Sequence, residues 1–226
     1  MASHAAAHGG AGGHAHPANP NFQHQFENLH QQYDSTTFGM WVFLVQEILF
    51  FGALFCAYAV YRAMYPGAYH AGAQHLDVTL GCFNTVVLIT SSLTMALAVR
   101  CAQLGRNKGV FGYLAATQAL GFVFLGVKVI EYSHKWHEHL IPGKHFQFDG
   151  PYAQQAQIYF SMYFAMTGMH ALHMVIGAGL IFYFMWKAWN NTYSAEYYGP
   201  IEIMGLYWHF VDIVWIFLFP MLYLIG

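Results

Sequence analysis

The sequence predicts an all-α polytopic membrane protein, a bundle of five transmembrane helices. Three observations carry that prediction. Of the 226 residues, 57% are apolar and 8% charged, against roughly 25% charged in a soluble domain. The apolar residues gather in five runs near 38–62, 78–100, 109–132, 156–187 and 201–224, each reaching the ~20 residues that cross a ~30 Å hydrocarbon layer as helix. Short breaks rich in Gly, Pro, Asn and charge separate the runs, as expected between helices. Backbone groups in lipid must be satisfied within the segment or in a closed barrel, and runs this long exclude barrel strands.

Two regions follow. Residues 1–35 form a tail rich in His, Ala and Gly, carrying His4, His8, His14, His16, His24 and His30. It offers little to bury, so disorder is expected. It has neither a basic start nor a continuous apolar stretch, and so does not read as a secretory signal. Residues 36–226 form the transmembrane domain. A formal net charge of −2 gives no electrostatic case for nucleic acid. Cys56, Cys82 and Cys101 lie in or beside apolar runs without a CxxC pair, which indicates neither a disulfide framework nor a thiolate metal site. Tyr61, Tyr65, Trp136, Trp186, Trp189, Tyr197 and Tyr198 sit at span ends, the headgroup level that such rings favour.

Ionisable residues within spans are functional candidates, because a charge at mid-membrane costs roughly 2.5–3.5 kcal/mol even on the mild insertion scale. In the first span Glu47 shares a helical stripe with Met40, Phe43, Phe51, Leu54 and Tyr58. Burial favours its protonated form, which can donate a hydrogen bond to a neighbouring helix, and proton relay is the functional alternative. In the third span and its exit, Lys128, Glu131 and Lys135 have the spacing of one ion-pair ladder. His134, His137, Glu138 and His139 crowd that exit as a wet interfacial cluster or a zinc site. In the fourth span His170 and His173 are three apart, suited to metal or to hydrogen bonds with carboxylates, phosphates or backbone. In the fifth, His209 and Asp212 are three apart as a natural neutralising pair. Glu202 enters their stripe, and Trp208 and Trp215 share an adjoining one. Pro220 removes a backbone donor and should bend that helix near its end.

Taken together these segments resemble subunit III of the haem–copper oxidases, the cytochrome c oxidase subunit III family. "YWHFVDIVWIFLFPMLY" looks like the family's closing helix and "TGMHALHMVIG" like its penultimate one. "EILFFGALFCAY" resembles its membrane-embedded glutamate segment, "FNTVVLITSS" the Asn-Thr helix that follows, and "KVIEY" the Glu-Tyr closing the next span. The matches occur in family order from about residue 38 to 226. The resemblance implies the family's last five helices, docked on subunit I with subunit II nearby, other respiratory complexes being further possible partners. It implies no redox centre in this chain, with haem and copper held by the partner subunits and phospholipid bound between helices. The implied role is to sustain proton uptake and subunit I stability in aerobic electron transport. On that reading Glu47 matches the buried glutamate beside the lipid cleft, and Glu131 the carboxylate at a span end. His170, His173, His209 and Asp212 match polar positions of the last two helices, and Trp208 and Trp215 the tryptophans of the closing motif.

The chain departs from the seven-helix form by lacking its first two helices. It also has Gln46 where Ser is common and Cys56 where many relatives have Trp. These features fit the five-helix bacterial branch, hence a bacterial inner membrane. That branch also holds a subunit III-like accessory protein of nitric-oxide reductases, and a quinol oxidase is a further alternative. With the N-terminus inside, Arg100, Arg106, Lys108 and Lys187 face the cytoplasm against Arg62, Lys135 and Lys144 outside. That imbalance is too slight to set orientation by charge; a cytoplasmic N-terminus is the expectation, and five spans put the C-terminus on the opposite side. From other classes, His170 and His209 could ligate a haem b, and Glu47 with Asp212 could line a transporter's proton path. The latter lacks the inverted repeat common among transporters.

Overall fold

The computed structural model describes residues 25–143, 146–148 and 152–225. Its helices in chain order are α1 (Leu29–Met64), α2 (Pro66–Ala73), α3 (Val78–Gln103), α4 (Asn107–His137), α5 (Ala153–Trp189) and α6 (Gly199–Phe219), closed by a π-helical turn, Pro220–Leu224. Among the described residues five helices are long and apolar enough to cross a membrane. The all-α polytopic bundle expected from the apolar runs is what the chain forms.

Each span starts and stops for local reasons. Asn28 caps α1 by accepting from Gln31 N at 2.8 Å, and Tyr33 donates to Glu202 of α6 at 2.8 Å. The boundary expected near residue 35 therefore falls inside a helix. The missed signal was Asn28, a favoured N-cap residue. His4, His8, His14, His16 and His24 lie outside the described residues. The carboxylate of Asp77 starts α3, accepting from Thr79 N at 2.8 Å and Leu80 N at 3.2 Å. α3, α4 and α5 all end in the same hydrogen-bond pattern, a 6→1 bond outside a 5→2 bond. The outer bonds are Arg106 N to Cys101 O, Leu140 N to Lys135 O and Thr192 N to Lys187 O. The pivot residues Gly105, His139 and Asn191 have φ of 67°, 54° and 54°.

The break at 65–77 holds a short helix where turn residues alone suggested a loop. Pro66 stands in its first turn, where a missing N–H costs nothing. Gly72 lets α2 lie against the Tyr159 ring, which a Cβ would strike.

α3 packs on α4 and α6, α4 on α5, and α5 on α6, while α1 lies against α5 and α6. α6 is the most enclosed of the spans. The outside is apolar: Phe38, Trp41, Val42, Val45, Ile48 and Leu49 of α1 are all more than half exposed. Polar groups face inward, and side-chain hydroxyls join the helices, as in membrane bundles. Thr94 of α3 meets Thr117 of α4 at 2.8 Å. Tyr132 of α4 meets Thr167 of α5 at 2.6 Å. The Trp208 indole of α6 donates to Ser91 of α3 at 2.9 Å.

Trp208 is fully buried because two glycines make room for it. A Cβ at Gly121 of α4 would lie 3.2 Å from its ring, and one at Gly177 of α5 3.0 Å from it. Gly179, two residues on, faces open space. Gly177→Leu should overpack the contact and cost about 1–3 kcal/mol, read as a lowered Tm in detergent. Gly179→Leu should leave Tm unchanged, and equal effects at both positions would refute this packing.

Candidate functional site

Polar residues inside the bundle fall into three groups. The central one lies where α4, α5 and the terminal π turn converge. Lys128 Nζ donates to Glu131 Oε2 at 2.8 Å and to the Tyr223 hydroxyl at 2.8 Å. Tyr163 donates to Glu131 Oε1 at 2.9 Å, and Tyr223 donates to the same oxygen in a short bond. Lys128, Tyr223 and Glu131 thus close a ring of hydrogen bonds, with Tyr163 as a second donor to the carboxylate. Both charged side chains are about 4% exposed. The ammonium also lies 4.9 Å from the Trp215 ring centroid, within cation–π reach.

Pro220 makes this geometry possible. Without a backbone N–H it cannot continue the α-helical ladder, and the last turn widens to an Ile225 N to Pro220 O bond of 3.0 Å. The carbonyls of the widened turn turn outward to tyrosines. Tyr58 of α1 donates to Met221 O at 2.6 Å, and Tyr159 of α5 to Leu222 O at 2.9 Å. The expected bend is therefore a docking device, fixed by α1 and α5 and aiming Tyr223 at Lys128 and Glu131.

The anticipated three-residue ladder is divided. Lys128 takes Glu131, while Lys135 donates to Glu138 at 2.7 Å and to His75 O at 2.6 Å. Lys135 turns to the α2–α3 connection because Glu131 is already held by two phenols and Lys128. Lys128, Tyr163 and Tyr223 complete the centre around Glu131; spacing had joined Lys128 to Glu131, and the family resemblance had named Glu131 as a site residue, but neither pointed to the phenols. The two phenols come from distant segments, and only packing brings them together.

The second group joins α1 to α5. Glu47, 8% exposed, has Oε2 3.2 Å from His173 Nε2. His173 Nδ1 lies 2.9 Å from Met169 O, and a carbonyl only accepts, so Nδ1 carries a proton. Nε2 then either accepts from a protonated carboxyl or, in the imidazolium, donates to a carboxylate. Both forms have zero net charge, so the pair can sit in hydrocarbon whichever group holds the shared proton. Tyr207 of α6 donates to His173 O at 2.9 Å and braces the pair.

The third group lies between α3 and α6. His209 and Asp212 do not pair as their spacing suggests: His209 Nδ1 meets Ser92 Oγ at 2.7 Å. Asp212, only 3% exposed, lies beside the same Ser92 hydroxyl. The correction comes from α3, whose hydroxyl occupies the imidazole first. Glu202, from the same stripe, is held by Tyr33 instead.

The two histidines of α5 also separate. His170 is fully buried against Phe124 and Trp215, with ring centroids 5.4 and 5.3 Å away, whereas His173 faces α1. His170 and His209 thus serve different surroundings, the aromatic interior and the α3–α6 boundary. Among the described residues no three His, Cys, Asp or Glu side chains come together as a metal-binding group. The tryptophans of α6 hold it to α3, Trp208 through Ser91 and Trp215 through Thr85 at 3.1 Å.

Residues 21–226 match the family model of cytochrome c oxidase subunit III. The chain belongs to the cytochrome c oxidase subunit III family. It is 32% identical over 197 residues to a cytochrome c oxidase subunit 3 of Synechocystis sp., covering 87% of this chain and 78% of the relative. It is 30% identical to a quinol oxidase subunit 3 of Bacillus subtilis, covering 90% of this chain and 96% of the relative. A haem–copper oxidase subunit I+III of Aeropyrum pernix is 31% identical over 85% of this chain and 23% of its own length. The chain is a subunit III of a haem–copper oxidase, part of an oxidoreductase complex, and a multi-pass membrane protein.

The central pair yields a double-mutant test. Lys128→Met alone should leave Glu131 buried without its counter-charge and cost about 3–5 kcal/mol. Lys128→Met with Glu131→Leu should recover most of the lost Tm. Additive losses in the double variant would show that the pair is not coupled.

Proposed function

We propose that this chain is the non-catalytic subunit III of a proton-pumping cytochrome c oxidase, seated against subunits I and II in a bacterial inner membrane with its N-terminus in the cytoplasm. Haem, copper and oxygen reduction belong to the partner subunits. This chain binds phospholipid and supports proton uptake and the stability of subunit I.

The observation that carries this reading is how the ionisable groups are placed. Glu47 and His173 neutralise each other, and Lys128 and Glu131 are locked among phenols. They do not converge on one chamber where a substrate could react. A cleft of about 430 Å³ lies between the start of α1 and the α5–α6 connection, lined by Phe26, Tyr33, Phe184 and Tyr197 with Glu196. Its aromatic walls and polar rim at a span end suit a lipid near its headgroup. Glu47 and Asp212 are engaged separately, one with α5 and one beside α3, which disfavours a shared transport path.

Purification under mild detergent should return this chain with a larger polypeptide carrying haem and copper. A stable, metal-free chain that never co-purifies with such a core would overturn the reading. A Soret band from the isolated chain would favour the haem-b alternative. Glu47→Gln should assemble normally, because the amide can still donate to His173 Nε2, while shortening the time over which the complex sustains turnover. Loss of assembly in that variant would mean that the carboxylate is an obligatory charge partner.

The Bacillus subtilis relative supports a second reading, subunit III of a quinol oxidase. Initial rates of the purified complex with reduced cytochrome c and with ubiquinol separate the two.

A further inference from the structure

Between α3 and α6 runs a groove of about 390 Å³ whose described lining is apolar apart from Ser92, His209 and Asp212. It shares Ala96 and His209 with a second hollow of about 350 Å³ that reaches Arg100, Gln103 and Glu202, where α3 ends and α6 begins. Three polar groups therefore stand in a row from the span end inward. His209 is half-buried, and its Nδ1 lies 2.7 Å from Ser92 Oγ. The Ser92 hydroxyl is in turn the hydrogen-bond neighbour of the Asp212 carboxyl, which lies near the middle of the Gly199–Leu224 span and is 3% exposed.

The chemistry of this row is that of a proton relay. A hydroxyl carries one donor and two acceptor lone pairs, so Ser92 can accept from one neighbour while donating to the other. With Asp212 ionised, His209 Nδ1–H donates to Ser92 Oγ and the Ser92 hydroxyl donates to the carboxylate. When His209 Nε2 takes a proton from water, Nδ1 releases its own to Ser92 Oγ, and Ser92 passes its hydrogen to Asp212. The end state holds a neutral carboxyl donating to Ser92, Ser92 donating to Nδ1, and a neutral imidazole protonated at Nε2. One proton has left the water and one rests on Asp212, and the same shifts in reverse return it. The outer hollow can supply that water: its 350 Å³ compares with about 30 Å³ per molecule in the liquid, and Arg100, Gln103 and Glu202 offer polar contacts. Beyond Asp212 the groove is lined by Leu88, Ile89 and Ile216, which offer no onward group.

We propose that His209, Ser92 and Asp212 form a one-ended proton-exchange site, through which a carboxyl at mid-membrane takes up and releases a proton at the membrane face where α3 ends and α6 begins. It is an exchange site and not a transport path, because the row stops at Asp212. All three groups belong to this chain, so the proposal stands apart from the reading of the chain as subunit III. Ser92 is the positioning and bridging group, and His209 the group that meets water.

The test follows the carboxyl itself, in the complex held in lipid nanodiscs. Infrared difference spectra after a pH jump contain the protonated-carboxyl band of Asp212, identified as the one lost in Asp212→Asn. Labelling aspartate carboxyls with ¹³C assigns the band to aspartate independently, should that variant fold poorly. In the wild type the band should follow the bulk pH and shift in D₂O. Ser92→Ala, which removes the bridge, should slow the response about tenfold or more, while Ser92→Thr, which keeps a hydroxyl, should restore it. His209→Phe should slow it in the same way, and Glu47→Gln, on another helix pair, should leave its rate unchanged. An Asp212 band that ignores bulk pH in the wild type would overturn the proposal. So would wild-type rates in both Ser92→Ala and His209→Phe, since the proton would then reach Asp212 by another way. Equal slowing in Ser92→Thr and Ser92→Ala would assign the effect to packing and also overturn it.

Discussion

Hydrocarbon supplies no hydrogen bonds, so a charge that enters it must be answered from within the protein. Lys128 and Glu131 meet that constraint one turn apart on α4, and the rest of the bundle is arranged around their contact. Two phenols complete the carboxylate's coordination, one from α5 and one from the terminal turn. Tyr223 reaches the pair only because Pro220 opens the last turn, and the turn holds its place through Tyr58 and Tyr159. Charge neutralisation on α4 thereby fixes the end of α6 against α1, α4 and α5. A buried ion pair is a poor source of net stability by itself. Here its value is geometric, since it ties four polar side chains, Lys128, Glu131, Tyr163 and Tyr223, from three segments to one point.

The outlying groups follow the same rule to different ends. Glu47 and His173 form a unit that is neutral in either protonation state, which lets α1 carry a carboxyl along a stripe facing the bundle. α1 otherwise has an apolar outer surface and few neighbours, so this contact, Tyr33 to Glu202 and Tyr58 to Met221 O are its principal polar attachments. Asp212 is answered from α3, with the Ser92 hydroxyl beside it in the groove between α3 and α6.

Much of the fold was legible because each span is written as a continuous apolar run and each stop as a turn residue. Gly105 and Asn191 fall where glycine and asparagine end helices, and Pro220 sits where the helix does break. What escaped was non-local. Asn28 extended α1 back into a stretch whose composition argued against structure. α2 hid in a Pro–Gly break because its stability comes from Tyr69 and Tyr159 packing, with ring centroids 5.2 Å apart. Helical spacing placed Lys135 with Glu131 and His209 with Asp212, yet in both cases a partner from another segment intervened, His75 O with Glu138 in one and Ser92 in the other. Tyr163 carried no sequence signal beyond being a tyrosine in an apolar run, and Tyr223, the last residue of the closing motif, carried none for its partner. The family motifs located Glu47, His173 and the two tryptophans, but which helix each would address depended on the packing.

Magic-angle-spinning NMR of the oxidase complex in lipid bilayers, with ¹⁵N at lysine Nζ and ¹³C at glutamate Cδ, tests the central claim most directly. The account predicts strong dipolar coupling between Lys128 and Glu131, consistent with the 2.8 Å contact between Nζ and Oε2, lost in Glu131→Gln and slow to exchange with water. A Lys128 amine without a nearby carboxyl carbon, exchanging freely with solvent, would contradict it.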